Sequence, residues 1–178
     1  MILDAFLQFD AAINLAQIAG TYNSTNVIDL GITSGIPSSA NGGGARDIGI
    51  GDDPTMKLLV QVTTAFTSAG AATLQVTLQS AIDNGSGAPA AYSNWYSTPV
   101  YALATLVQGA RLMDMDFPRP PDGVAIPRFL RLQYVIGTAT TTAGIVEALI
   151  ILDRMDQFYS GTNNAVLSGY QPGITVAN

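Results

Sequence analysis

"MKLLVQVTTAF" (56–66) and "ATLQVTLQSAI" (72–82) decide the fold between them. In the first, Leu58, Val60, Val62 and Phe66 share one parity, and Lys57, Gln61 and Thr63 share the other. In the second, Leu74, Val76 and Leu78 alternate with Gln75, Thr77 and Gln79. A β-strand turns successive side chains to opposite faces, so a period of two predicts two strands, each buried on one face. The short link "TSAGA" (67–71) reads as a hairpin loop.

The same device recurs further along the chain. "ARLMDMDF" (110–117) sets Met113, Met115 and Phe117 against Leu112, Asp114 and Asp116, and "FLRLQYVIG" (129–137) sets Leu130, Leu132, Tyr134 and Ile136 against Arg131 and Gln133. "AGIVEALIILD" (143–153) is apolar throughout and compatible with a buried helix, but its β-branched residues and the Thr run before it favour a central strand. "NVIDL" (26–30) and "SNWYSTPVY" (93–101) are weaker strand candidates. Pro and Gly punctuate "SGIPSSANGGG" (34–44), "DNGSGAP" (83–89) and "FPRPPDGVAIP" (117–127), and only "YALATLVQG" (101–109) offers a helical turn.

About eight short strands with turns between them predict an all-β protein, a jelly-roll-like antiparallel β-sandwich. Its core is expected from Leu58, Val60, Val62, Leu74, Val76, Leu78, Met115, Leu130, Leu132, Tyr134 and Ile150. The chain of 178 residues suits one domain over 1–156, with an N-terminal segment, and a C-terminal arm over 157–178.

Only 11% of the residues are charged and the net charge is -6, with Lys57 the sole Lys and six scattered Arg. That composition speaks against a nucleic-acid partner, because binding a phosphate backbone rests on clustered cations. The absence of Cys and His removes disulfides, thiolate nucleophiles, imidazole bases and most zinc or copper sites. The apolar opening "MILDAFLQFDAAINLAQIAG" (1–20) lacks a basic leader and is interrupted by Asp4 and Asp10, so it reads as part of a soluble, unprocessed chain. No other stretch approaches the ~18 apolar residues of a membrane span.

"NGGGARDIGIGDDP" (41–54) invites a ligand. A phosphate cradle needs Gly-Lys-Ser/Thr opening a helix; this loop runs into the strand at Met56, and Asp52 and Asp53 repel phosphate. Asp47, Asp52 and Asp53 offer oxygens to calcium, but without alternate spacing or a closing Glu, since the only Glu is Glu147. A bend whose glycines permit positive φ, with Arg46 paired to a local acid, is the favoured reading.

Three stretches together carry a family resemblance: "MILDAFLQFDAA" (1–12), "RDIGIGDDPTMKLLVQVTTAFTSAGAATLQVTLQSAID" (46–83) and "RFLRLQYVIGTATTTAGIVEALIILD" (128–153). Up to about residue 154, the chain resembles the capsid cement or decoration proteins of tailed bacteriophages, typified by the Bordetella phage cement protein family. The resemblance implies a jelly roll that oligomerises and sits on the outer surface of an icosahedral shell. That shell is built by a major capsid protein of HK97-like fold, and the cement clamps neighbouring capsomers against internal DNA pressure. The resemblance implies no catalysis and no cofactor, and it makes the stretch 46–51 a structural loop.

A homodimer is the first expectation for self-assembly, ahead of a trimer. The tail "QFYSGTNNAVLSGYQPGITVAN" (157–178) carries aromatic and aliphatic residues and no charge, so it is expected to be ordered by contact, as are the apolar residues near the N-terminus. At least one terminus is expected to cross to a sister subunit or to the capsid, the alternative being that it folds back on its own domain. The expected interface residues are Phe6, Phe9, Trp95, Tyr96, Phe158, Tyr159 and Tyr170. Two rival functions stand beside this one. Tyr92, Trp95, Tyr96 and Tyr101 suit a carbohydrate-binding sandwich, although alternating rings also pack cores and interfaces. Asp114 with Asp116, or Asp52 with Asp53, suits a carboxylate hydrolase only if a cleft separates the two pKa values.

Overall fold

The structure is a computed structural model that describes residues 7–31, 56–118 and 127–151. These form ten strands: β1 (Gln8–Asn14), β2 (Gly20–Asn23), β3 (Ile28–Asp29), β4 (Lys57–Ser68), β5 (Thr73–Ala81), β6 (Ser93–Ser97), β7 (Tyr101–Ala102), β8 (Arg111–Asp116), β9 (Phe129–Gly137) and β10 (Thr141–Ile151). A 3-10 turn at Leu103–Thr105 is the helical turn expected in "YALATLVQG", and the described residues include no α-helix. All strand pairs are antiparallel. One sheet has the order β1-β10-β4-β8; the other has β2-β9-β5-β6, with β3 also on β9 and β7 also on β5. Because β2 and β3 follow one another along β9, and β6 and β7 along β5, the ten strands fill eight positions. Chain order alternates between the sheets at nearly every connection, which makes the sandwich a jelly roll.

The alternation in β4 and β5 works as expected. Leu58, Val60 and Val62 meet Leu74, Val76 and Leu78 in one core cluster, joined by Leu130, Leu132, Tyr134 and Ile150. Each fully buried aliphatic side chain contributes roughly 1.5–3 kcal/mol. The "TSAGA" link is not a hairpin, however. β4 pairs with β10 and β8, whereas β5 pairs with β9, β6 and β7, so the link crosses from sheet to sheet. Period-two patterning says which face a strand buries but not which strand lies beside it. A crossing arch turns both apolar faces toward the same core. β9 passes to β10 by a second arch, alongside the first. There the Thr67 and Thr142 hydroxyls lie 2.7 Å apart, and the Ser68 hydroxyl donates to the Thr140 carbonyl at 2.6 Å. A Cβ on Gly70 would stand 2.9 Å from that of Ala139, so these turns tolerate no bulk.

Three further differences concern residues near the termini and the edges. The N-terminal stretch forms β1 and β2. Its Phe9, expected at an interface, is instead fully buried in the domain's own core with Leu7 and Leu15. Two register irregularities between β1 and β10 break the alternation, which hid this strand in the sequence. Leu112, expected on the outer face, is buried, because the β4–β8 register slips between Val60 and Gln61; Met115, at the end of edge strand β8, is only partly buried. Leu59, Leu149 and Ile151 form a second small buried cluster, and for that reason "ALIILD" reads as apolar on both parities.

A polar tie joins the sheets through the interior. Asp10 of β1 is buried; its carboxylate accepts the Tyr134 hydroxyl of β9 at 2.7 Å and the Thr25 N–H at 2.7 Å. Burial, and then the charge of Asp10, push the Tyr134 hydroxyl well above its ordinary value, so it remains a donor.

Register also sorts the ends of the sandwich. Lys57 lies beside Ile151 and Asp116, and Gln8 beside Leu149. Phe129 lies between Asp29 and Ala81. The long connections 30–56 and 117–128, and both chain ends, therefore root at one end. The short connections 15–19, 69–72 and 138–140 close the other.

Candidate interaction surface

The outward parity of β5 carries amides and hydroxyls, and the register binds them into a ladder. Gln79 stands opposite both Arg131 and Asn94. The Arg131 Nε donates to Gln79 Oε1 at 2.7 Å, and Gln79 Nε2 donates to Asn94 Oδ1 at 2.8 Å. The Arg131 guanidinium also lies 3.7 Å from the centroid of the Tyr92 ring, a cation–π stack. In the next row the Thr77 and Ser97 hydroxyls are 3.0 Å apart. Gln75 Nε2 donates to the Thr98 carbonyl at 2.9 Å, while the Thr98 hydroxyl accepts the Val76 N–H at 3.0 Å.

Most charges in the described residues are spent on one another. Lys57 pairs with Asp116 at 2.7 Å and Arg111 with Asp114 at 3.1 Å, so the two acids considered for hydrolysis sit at the surface with separate cations. Arg128 grips Asp29 with two bonds, at 2.8 and 3.0 Å, and reaches Asp83 with a third. Asp83 also accepts the N–H groups of Gly85 and Gly87, at 2.8 and 3.0 Å. The bond from Gly87 leads in holding the Asp83 carboxyl below its ordinary value. At Asp29, burial pushes up but is outweighed by the Arg128 bond and the Gly31 N–H, so that carboxyl also lies low; the Asp29 bond in turn raises Arg128. This clamp ties β3, the β5–β6 turn and the start of β9 together, at the end where the long connections root.

Beside the clamp lies an open pocket of about 390 Å³. Ser80, Ala81 and Ile82 line it from the end of β5, Ala90, Ala91 and Ser93 from the approach to β6, and Pro127 from the approach to β9. β6 itself is an edge strand of uncharged residues. Its Trp95 packs edge-on against Phe117, with centroids 5.9 Å apart and planes at 79°, and its Tyr96 is 37% exposed. Tyr101 instead sends its hydroxyl to the Leu112 carbonyl at 2.8 Å. The four aromatics considered for a sugar platform thus serve different places: Tyr92 under Arg131, Trp95 on Phe117, Tyr101 on β8, and Tyr96 at the edge. The Tyr92 hydroxyl and the Trp95 indole N–H are buried without a hydrogen-bond partner.

Of the expected interface residues, Trp95 and Tyr96 come together on β6, and Phe9 is in the core. Phe6, Phe158, Tyr159, Tyr170, the loop 41–54 with its three Asp, and the arm 157–178 lie outside the described residues. Among the described residues no cluster of Asp or Glu could hold a metal ion, and no helix is long and apolar enough to cross a membrane. The ladder and the clamp were not foreseen. Gln79, Arg131 and Arg128 each have ordinary outward or strand-end positions in the sequence, and only register brings their partners within reach.

No curated protein matches the chain. The family model described as Bbp16 matches residues 14–150, from the last residue of β1 to the penultimate residue of β10. The match thus spans nearly the whole sandwich, the ladder and the clamp included, and the chain belongs to the Bbp16 family, a Bordetella phage protein family.

Proposed function

We propose that the protein is a structural virion component that decorates an icosahedral phage capsid on its outer surface, bridging and stabilising neighbouring subunits of an HK97-like major capsid protein. The observation that carries this reading is the outer face of the six-stranded sheet. Its rows are locked by the buried Gln79 and Thr77, with Arg131 held by Gln79 and Tyr92, and along its edge it exposes the uncharged Ser93, Asn94, Tyr96 and Ser97. An uncharged edge whose polar side chains are already ordered by bonds to the row behind it loses little side-chain entropy on docking, which suits contact with another protein. Membership of a phage protein family supports the same reading.

The test is copurification. Purified virions should contain the chain at a fixed ratio to the major capsid protein, and shells lacking it should release DNA at lower temperature. Virions that lack the chain altogether, or shells whose thermal release is unchanged without it, would overturn the reading.

A further inference from the structure

We propose that Asn84 is a latent modification site: its side-chain amide closes on the Gly85 nitrogen, with loss of ammonia, when the Arg128–Asp83 clamp lets go of the β5–β6 turn. The inference goes beyond the decoration reading and does not depend on it.

An Asn-Gly pair is well suited to this chemistry, because glycine has no Cβ to crowd its nitrogen. The turn "DNGSGAP" (83–89) contains one such pair, Asn84–Gly85, and both residues are exposed. The step needs no oxidant, reductant or cofactor. The Gly85 nitrogen gives up its proton and bonds to Asn84 Cγ; the Cγ–Nδ2 bond breaks, and ammonia leaves with that proton. Water then opens the cyclic imide at either carbonyl, leaving an aspartate or an isoaspartate in place of Asn84.

Two sets of bonds act on the reacting groups, in opposite directions. Ser86 donates twice to Asn84 Oδ1, from its N–H at 2.9 Å and from its hydroxyl at 2.7 Å. Donors at a carbonyl oxygen stabilise the negative charge that attack places there, so Ser86 leaves the electrophile activated. The nucleophile is withheld. The Gly85 N–H donates to Asp83 Oδ1 at 2.8 Å, and the Gly87 N–H joins the same oxygen at 3.0 Å. An N–H bonded to a carboxylate is hard to deprotonate, since the anion left behind would face a second negative charge. Asp83 is held by its other oxygen to Arg128, whose guanidinium also grips Asp29 with two bonds. One arginine thus governs whether the Gly85 nitrogen is free.

The position gives the reaction a consequence. The Asn84 N–H bonds to the Ala88 carbonyl and the Ala90 N–H to the Ile82 carbonyl, both at 2.9 Å, which closes the turn beside the pocket. An isoaspartate would lengthen the backbone inside this closed turn. Either product would set a new negative charge next to Asp83, so a clamp that had opened would be hindered from closing.

The experiment follows Asn84 in the full chain at mildly alkaline pH by peptide mass spectrometry, which detects the exchange of amide for carboxyl. Trypsin cuts after Arg46, Lys57 and Arg111, so Asn84 falls in a different peptide from Asn41, the chain's other asparagine before a glycine. Folded wild type should deamidate at Asn84 about tenfold or more slowly than the same chain unfolded in urea, because the charge-assisted hold on Gly85 must open first. Asp83→Ala, in the exposed turn, should recover most of that difference, and Arg128→Gln should speed the reaction several-fold. Circular-dichroism melts show whether each variant is folded; if Arg128→Gln is not, Asp83→Ala decides alone. Asp114→Ala, which breaks a different surface pair, should match the wild type. A folded wild type that reacts as fast as the unfolded chain would overturn the proposal. So would a folded Asp83→Ala or Arg128→Gln that reacts as slowly as the wild type, or an Asp114→Ala that reacts as fast as Asp83→Ala.

Discussion

The two ends of this sandwich are built in opposite ways. At one end the chain turns between sheets in a few residues, and small side chains interlock: Gly70 against Ala139, Thr67 against Thr142, Ser68 against the Thr140 carbonyl. The Thr141 hydroxyl donates to the Leu15 carbonyl and accepts the Gln17 N–H, which pins the β1–β2 connection to the same corner. At the other end there is no such interlock among the described residues. Three elements are held by one arginine between two aspartates, and beside them the surface opens into a pocket. The first end fixes the topology, because both arches must cross before either sheet is complete. The second end is free to carry long connections, because polar bonds hold their roots without demanding close packing.

The largest effect should come from adding one methyl group at each end. Gly144 and Gly85 both have positive φ, at 148° and 91°. A Cβ at Gly144 would lie 2.5 Å from the Phe66 ring, while a Cβ at Gly85 would meet nothing within 4 Å. Both substitutions strain the backbone, and only the one at Gly144 adds a clash with a core side chain. Gly144→Ala should destabilise by about 3 kcal/mol, and Gly85→Ala by about 1 kcal/mol. Urea unfolding measures both. Equal losses would mean that the two ends are not packed differently.

A smaller effect is expected midway between the ends, at the Asp10–Tyr134 tie. Tyr134→Phe leaves the buried Asp10 carboxylate with the Thr25 N–H as its remaining bond, a loss of about 1–3 kcal/mol. The Tyr134 hydroxyl is raised above its ordinary value in the folded state. Its stabilisation is thus complete below about pH 10 and is lost as pH rises beyond that. Thermal melts between neutral and alkaline pH should show a steeper decline in the wild type than in Tyr134→Phe. Parallel declines would show that this hydroxyl does not control alkaline stability.

How much of this could be read from the sequence follows from which forces act locally. Alternation in β4, β5 and β9 marked the core correctly, because burial of one face is a property of each strand alone. The arch at 67–71 was misread as a hairpin because partner choice is not local. β1 and Leu112 were misread where bulges break the period, and Phe9 was thereby taken for a contact residue when it belongs to the core. The ladder stayed hidden because Gln79, Asn94 and Arg131 are remote in sequence and meet only through register. Trp95 and Tyr96 are neighbours in one weak strand, yet Trp95 packs against the core beside Phe117 while Tyr96 stands at the exposed edge, a division that the sequence of an uncharged strand does not mark.

The smallest effect, and the most local, should come from the Arg128 clamp. Asp29 and Asp83 both have carboxyls held below their ordinary value, through Arg128 and backbone N–H groups. For such groups the stabilisation is present above the unfolded pKa, about 3.9, and is lost as pH falls through the lower folded values. Arg128→Gln removes the shared cation and leaves two carboxylates near one another, so both should titrate at higher pH than in the wild type. Acid below about pH 4 should therefore cost the variant less further stability than it costs the wild type. Because the clamp grips only its own end, amide hydrogen exchange should speed up several-fold at Gly31, Gly85 and Gly87, whose N–H groups bond to the two aspartates. Exchange at Leu15 and Gln17, bound to Gly144 and Thr141 at the far end, should not change. If those far amides also lose protection, the two ends open as one cooperative unit, and the long connections are not independent of the interlocked corner.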